Sequence, residues 1–171
     1  MSRIRYLAAL AILAAVTVLP FPLAGQSSSN PVALGVSVGP TFPLAGNGDT
    51  ISNNGQASLN WGFYVNIPLV YAFDLMPSAE LYKFGASQAT DIDLAFKFLV
   101  PIGNLSLYAG LVPGLTAVSA TLAPHVGALA GASYRIVSNL SGFVQGKYDI
   151  LFDGSSNIKV VHVNAGLLLA F

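Results

Sequence analysis

Ionisable side chains are scarce in this 171-residue chain, which holds seven Lys and Arg, seven Asp and Glu, two His and no Cys. Glu80, Asp93 and Asp149 supply carboxylates, Lys97, Arg135 and Lys147 supply cations, and His125 and His162 are the only imidazoles. Carboxylates and imidazoles together could run general acid–base chemistry or hold a metal. Neither histidine has an Asp or Glu at ligand spacing in the sequence, so no metal and no cofactor is expected. Without cysteine there is no disulfide and no thiolate site. What remains is electrostatic chemistry: acids and cations that must pair wherever they are buried, because an isolated buried charge is very costly.

The elements that carry these residues are read from alternation. Eight segments, at 32–42, 58–71, 75–82, 92–100, 105–116, 125–136, 141–150 and 161–171, set apolar residues at every second position. That period puts them on one face of an extended strand. Glu80 shares its opposite face with Ser78 and Tyr82, Asp93 shares one with Ala95 and Lys97, and Lys147 lies between Gln145 and Asp149. The span from Phe98 to Tyr134 carries no charge and would suit a membrane helix around Leu105 to Ala123. Pro113-Gly114 at its centre and the strict alternation from Leu105 to Thr116 argue for a strand instead.

Composition says where such strands reside. The chain is 54% hydrophobic and 8% charged, far below the quarter or so of charged residues in a soluble domain. Arg3 and Arg5 precede an apolar run from Leu7 to Leu19, and small residues follow at Ala24 and Gly25, the pattern of a secretory signal over 1–25. The domain proper is then 26–171. Seven basic residues less Arg3 and Arg5 leave five against seven acidic ones, a net charge of −2. Nucleic acid is excluded as a partner, since phosphate binding draws on clustered Lys and Arg.

A sheet with one apolar and one polar face suits a soluble barrel turned inward or a membrane barrel turned outward. The polar face decides, because it is mostly Gly, Ser, Ala and Asn, and a water-facing surface would carry abundant Lys and Glu. Small residues fit the crowded lumen of a narrow barrel. The fold expected is all-β: an eight-stranded antiparallel transmembrane β-barrel behind a signal-peptide helix. Glu80, Asp93, Lys97, Arg135, Lys147, Asp149, His125 and His162 then point into the lumen. Glu80 and Lys97, each about six residues from a short turn, should meet and pair there.

Turns are expected at 72–74, 102–104 and 137–139, with longer connections at 43–56, 85–90, 117–121 and 153–157 on the other side. Those longer connections would expose Asp49, Asp91 and Asp153. Pro40, Pro77, Pro113 and Pro124 are expected near strand ends, where pairing stops or bulges. Phe42, Trp61 and Tyr148 toward the loop side and Tyr71 and Tyr134 toward the turn side would form two aromatic girdles.

Taken together, the signal segment, the eight alternating segments, strand-turn-strand runs such as Tyr134 to Asp149 and the terminal Phe171 resemble the small outer-membrane β-barrel superfamily typified by the OmpA and OmpX transmembrane domains. The resemblance implies the outer membrane as location, outer-membrane lipid as surroundings and the barrel-assembly machinery as a partner in biogenesis. That machinery would read Val163, Ala165, Leu167, Leu169 and Phe171. It also implies a monomer with a structural or surface-interaction role through its outer loops. A narrow pore gated by luminal charges is the alternative. A lipid A-modifying enzyme is a second, disfavoured because Asn164 stands where the deacylase pattern places a serine two residues after its histidine.

Overall fold

A computed structural model describes residues 31–44, 57–70, 72–84, 87–119, 121–153 and 156–171. The segment 1–25, Asp49 and Tyr71 lie outside the described residues. Eight strands follow one another: β1 (Ala33–Leu44), β2 (Ser58–Val70), β3 (Phe73–Phe84), β4 (Ser87–Ile102), β5 (Leu105–Val118), β6 (Thr121–Val137), β7 (Leu140–Asp153) and β8 (Ser156–Ala170). Each pairs antiparallel with the next, and β1 pairs with β8 to close the barrel. Closure leaves no strand edge unpaired, the condition hydrocarbon imposes on a sheet. A strand of 12 residues such as β1 rises by about 28 Å at a tilt near 45°, enough to cross a bilayer core.

Alternation translates directly into two surfaces. Val36, Phe63, Phe96, Leu111, Val144 and Leu167 stand on the outside. Trp61, at 56% exposed, and Leu111, at 64%, show how far such side chains project. An apolar surface of this extent, on a closed sheet with no free edge strand, belongs in lipid. The inward face carries residues sealed from solvent.

Strand lengths differ from those expected. The connections β2–β3, β4–β5 and β6–β7 occupy the end that also holds both strand termini, Ala33 opposite Ala170. Gly103 there takes a positive φ of 64°, a conformation that costs a glycine nothing. At the other end only the connection 45–57 is long. Connections 85–86, 119–120 and 154–155 are two residues each. The polar residues read as loop, Asp91 among them, continue the strands, because a polar residue that points into a lumen interrupts nothing. Asp153 likewise closes β7 opposite Ser156.

The prolines are also placed differently. Pro40, Pro77 and Pro113 sit inside strands and pair on one side, with Leu59, Leu94 and Val126. On the other side the ladder pauses: β1–β8 pairing skips from Val38 to Thr41, β2–β3 from Tyr64 to Ile67, and β4–β5 from Asp93 to Phe96. Pro124 lies just beyond the point where β6–β7 pairing begins, at His125. A missing N–H is tolerated because each strand has two neighbours and only one ladder gives way. The register shifts fall elsewhere, at Pro68/Val70 and Arg135/Val137.

Candidate functional site

The lumen is divided along its length. Toward the terminal end Tyr64, Met76, Ala95, Tyr108, Val112, Leu129 and Phe143 pack as one apolar cluster, with Leu99 and Leu168 against it. Tyr64 and Phe143 meet edge to face with centroids 5.5 Å apart, a favoured aromatic geometry. Toward the loop end lies a layer of charge.

Lys147 on β7 is its hub. Its Nζ stands 2.7 Å from Asp93 Oδ2, 3.2 Å from Glu80 Oε2, 3.2 Å from Asp149 Oδ2 and 3.6 Å from Asp91 Oδ2. Four carboxylates thus surround one ammonium, whose three N–H groups cannot satisfy them all. Tyrosines and an amide supply further donors. Tyr64 and Asn164 donate to Glu80 Oε1 at 2.8 and 3.1 Å, and Tyr82 donates to Asp91 Oδ1 at 3.1 Å.

Each histidine joins a threonine to a carboxylate. His125 Nε2 is 2.8 Å from Asp93 Oδ1, and its Nδ1 is 2.8 Å from Thr116 Oγ1. His162 Nδ1 is 2.9 Å from Thr41 Oγ1, which also accepts from Asn60 Nδ2 at 2.9 Å. His162 Nε2 faces Asp91 and Asp149 at 3.5 and 3.4 Å. The order of nucleophile, base and acid resembles a hydrolytic triad. Both threonines, however, are fully buried at 0% exposure. The space beside Thr116 that Gly114 leaves open is filled by His125 and Asp93. Glycine has the same use at Gly127, where a Cβ would collide with Asp149 Oδ1. These relays orient protons and offer no nucleophile to lipid or solute.

Of the residues expected in the lumen, Glu80, Asp93, Lys147, Asp149, His125 and His162 come together. Two do not. Lys97 is buried but one level lower, 4.0 Å from Asp74 Oδ2 and 4.8 Å from the Tyr108 ring centroid. It does not pair with Glu80, because the strands of a closed barrel are staggered. Glu80 stands opposite Asp91, and Lys97 opposite Asp74. Arg135 is exposed near the terminal end, next to the bulge. Its position three residues from the turn lets a long side chain reach water.

The layer also includes residues that sequence reading passed over or placed elsewhere: Asp91, Thr41, Asn60, Tyr64, Tyr82, Thr116 and Asn164. Asp91 was expected in an exposed connection and is fully buried on β4. Its parity with Asp93, Ala95 and Lys97 is the signal that marks it. Asp74, which accepts from Asn66 Nδ2 at 2.6 Å, was expected in a turn and shares the parity of Glu80.

Outside the barrel, Phe42, Trp61 and Tyr148 are accessible toward the loop end, and Tyr134 toward the terminal end. Val163, Ala165, Leu167, Leu169 and Phe171 all face outward. The Phe171 amide donates to Val32 O at 3.0 Å.

No protein-family model matches the chain, and no curated protein sequence matches it. Solved structures do. Neisserial surface protein A (NspA) superposes with a TM-score of 0.67 at 13% identity, over 84% of this chain and 98% of that one. Ail, the attachment invasion locus protein of Yersinia pestis, gives 0.55 at 10% identity over 82% and 99%. A de novo designed transmembrane β-barrel gives 0.51 at 14% identity over 85% and 100%. At such low identity the likeness is one of architecture, and the designed barrel shows that this architecture needs no inherited sequence. The chain has the fold of the small outer-membrane eight-stranded β-barrels.

Proposed function

We propose that the protein is a non-enzymatic integral protein of the bacterial outer membrane, with a structural or surface-interaction role exercised at its loop end. The observation that carries this reading is the filled lumen within a lipid-facing wall. An open pore would leave inward side chains accessible, yet Glu80, Asp91, Thr116, Asp149 and His162 are all fully buried. An enzyme acting on membrane lipid would present its base and nucleophile to lipid, whereas both histidines lie inside. The stretch of sequence between β1 and β2 at the loop end is the longest between any two strands. NspA and Ail are, by their names, a surface protein and an attachment protein, which supports the same use of this architecture.

Outer-membrane lipid is the partner along the wall, and Phe42, Trp61, Tyr134 and Tyr148 serve as interfacial anchors. The outward row from Val163 to Phe171 is the feature the barrel-assembly machinery would read. A closed sheet leaves no edge for strand-to-strand association, which supports reading the protein as a monomer. The test is heat-modifiable migration of outer-membrane fractions on gels, with a Phe171-deleted control. A compact unheated band in the outer-membrane fraction, lost on deletion, is expected. An extended chain in the inner membrane refutes the reading. Stepwise conductance in planar bilayers would establish a pore instead. A mass change in lipid A from expressing cells would establish an enzyme.

A further inference from the structure

The outer wall is not uniform. Val36 and Val38 on β1, Trp61 and Phe63 on β2, and Ala165 and Leu167 on β8 line an apolar groove of about 510 Å³. All six side chains face outward. Ala165, the smallest of them, pairs with Val38 and lowers the wall between Val163 and Leu167. A hollow in a lipid-facing wall takes up hydrocarbon, and the charge above this one selects which. Every described Asp and Glu side chain, Asp74, Glu80, Asp91, Asp93 and Asp149, is buried. Lys83 on β3 is exposed and shares the parity of Leu81, the partner of outward Trp61.

The register sets Lys83 over the groove. The line of paired residues Val38, Trp61, Leu81, Thr90, Ala117 and Leu122 starts in the middle of β1 and ends beside the β5–β6 connection. It therefore climbs toward the loop end, and each strand leans the opposite way as it rises. With strands about 4.8 Å apart, a rise of about 3.3 Å per residue and a tilt near 40°, Lys83 stands roughly 11 Å above Val38 and about 3 Å to its side. Lys159, which pairs with Leu44, reaches the same height but lies about 16 Å round the wall, because β8 leans away.

We propose that the groove and Lys83 form one lipid site, in which an acyl chain lies along Trp61, Val38 and Ala165 and the phosphate of an anionic lipid in the loop-side leaflet pairs with the Lys83 ammonium. The four-carbon stem of a lysine carries its charge up to the headgroup layer while its methylenes stay in hydrocarbon. Anionic headgroups attract a lysine held near their surface. A second copy of the chain is the poorer occupant, since the described part of its wall offers Lys83 no carboxylate. The inference rests on the lipid-facing wall proposed above and adds which lipid that wall holds, and where.

Trp61, the only tryptophan in the chain, lines the groove and reports on its occupant. The full chain is reconstituted in phosphatidylcholine bilayers, and folding is verified by the heat-dependent gel shift. A small fraction of the lipid is then replaced by phosphatidylglycerol or phosphatidylcholine, each dibrominated on the acyl chain. Quenching of Trp61 should show the anionic lipid in the groove about fivefold more often than the neutral one, the factor that one lysine near an anionic headgroup supplies. That ratio should fall to one in Lys83→Gln, drop at least twofold in Ala165→Leu, which fills the hollow, and stay near fivefold in Lys159→Gln. Equal quenching by the two lipids in wild type overturns the proposal, as does a ratio unchanged by Lys83→Gln or by Ala165→Leu. Quenching that weakens as the protein-to-lipid ratio rises would seat a second copy on the groove and overturns it too. If neither lipid quenches Trp61 at any ratio, the lipid-facing wall itself is refuted.

Discussion

The two halves of the lumen are built on one continuous sheet and stabilised by different physics. In the terminal half Tyr64, Met76, Val112, Leu129 and Phe143 fill space by close packing, which is non-directional and sums many small contacts. In the loop half Lys147 holds four carboxylates, and two threonine–histidine relays lock the rest. Packing loses stability in graded amounts, because neighbours relax only partly into a gap. A charge network has no such gradation, since removing one member leaves the others buried and unpaired. A narrow barrel can therefore be plugged with grease for durability and with ions for specificity of register.

The largest expected effect comes from breaking the hub. Lys147→Met, refolded in metal-free buffer, should lose about 3–5 kcal/mol of unfolding free energy, because four carboxylates are left without a cation. Urea titration in micelles measures it. Adding Asp93→Asn should restore part of the loss, since members of one network couple. Leu129→Ala alone, in the greasy half, should cost about 3 kcal/mol through the cavity it leaves. A smaller loss, about 1–3 kcal/mol, is expected of Gly127→Ala, where the new methyl displaces Asp149. Least of all, Leu111→Ala on the lipid-facing wall should stay below about 0.5 kcal/mol, as surface substitutions away from special features do.

The sequence made the sheet legible and left its offsets hidden. Alternation in segments such as Leu105 to Thr116 reports which face each residue occupies, and all eight strands follow from it. It is silent on stagger, which depends on closure of β1 against β8, whose paired residues are 115 or more positions apart in the chain; Thr41 and His162, partners across that seam, are separated by 121 positions. Hence Glu80 and Lys97 were expected together and stand with Asp91 and Asp74. Strand ends were misread for a related reason: at Asp91 polarity was taken for a loop, although its parity already placed it beside Asp93. The charged layer itself was half visible. Six of its members were expected in the lumen, while the hydroxyls and amides that complete it, Thr41, Thr116, Asn60 and Asn164, look like any small polar filling until the register brings them together.

Trp61 offers the most direct test of the central claim that the apolar face is turned to lipid and the ionised face to the lumen. It is the only tryptophan in the chain and projects outward from β2 near the loop end. Its fluorescence in reconstituted bilayers should be blue-shifted, strongly quenched by phospholipids brominated on the acyl chain and little affected by aqueous acrylamide. Strong acrylamide quenching with no response to brominated lipid would contradict the account.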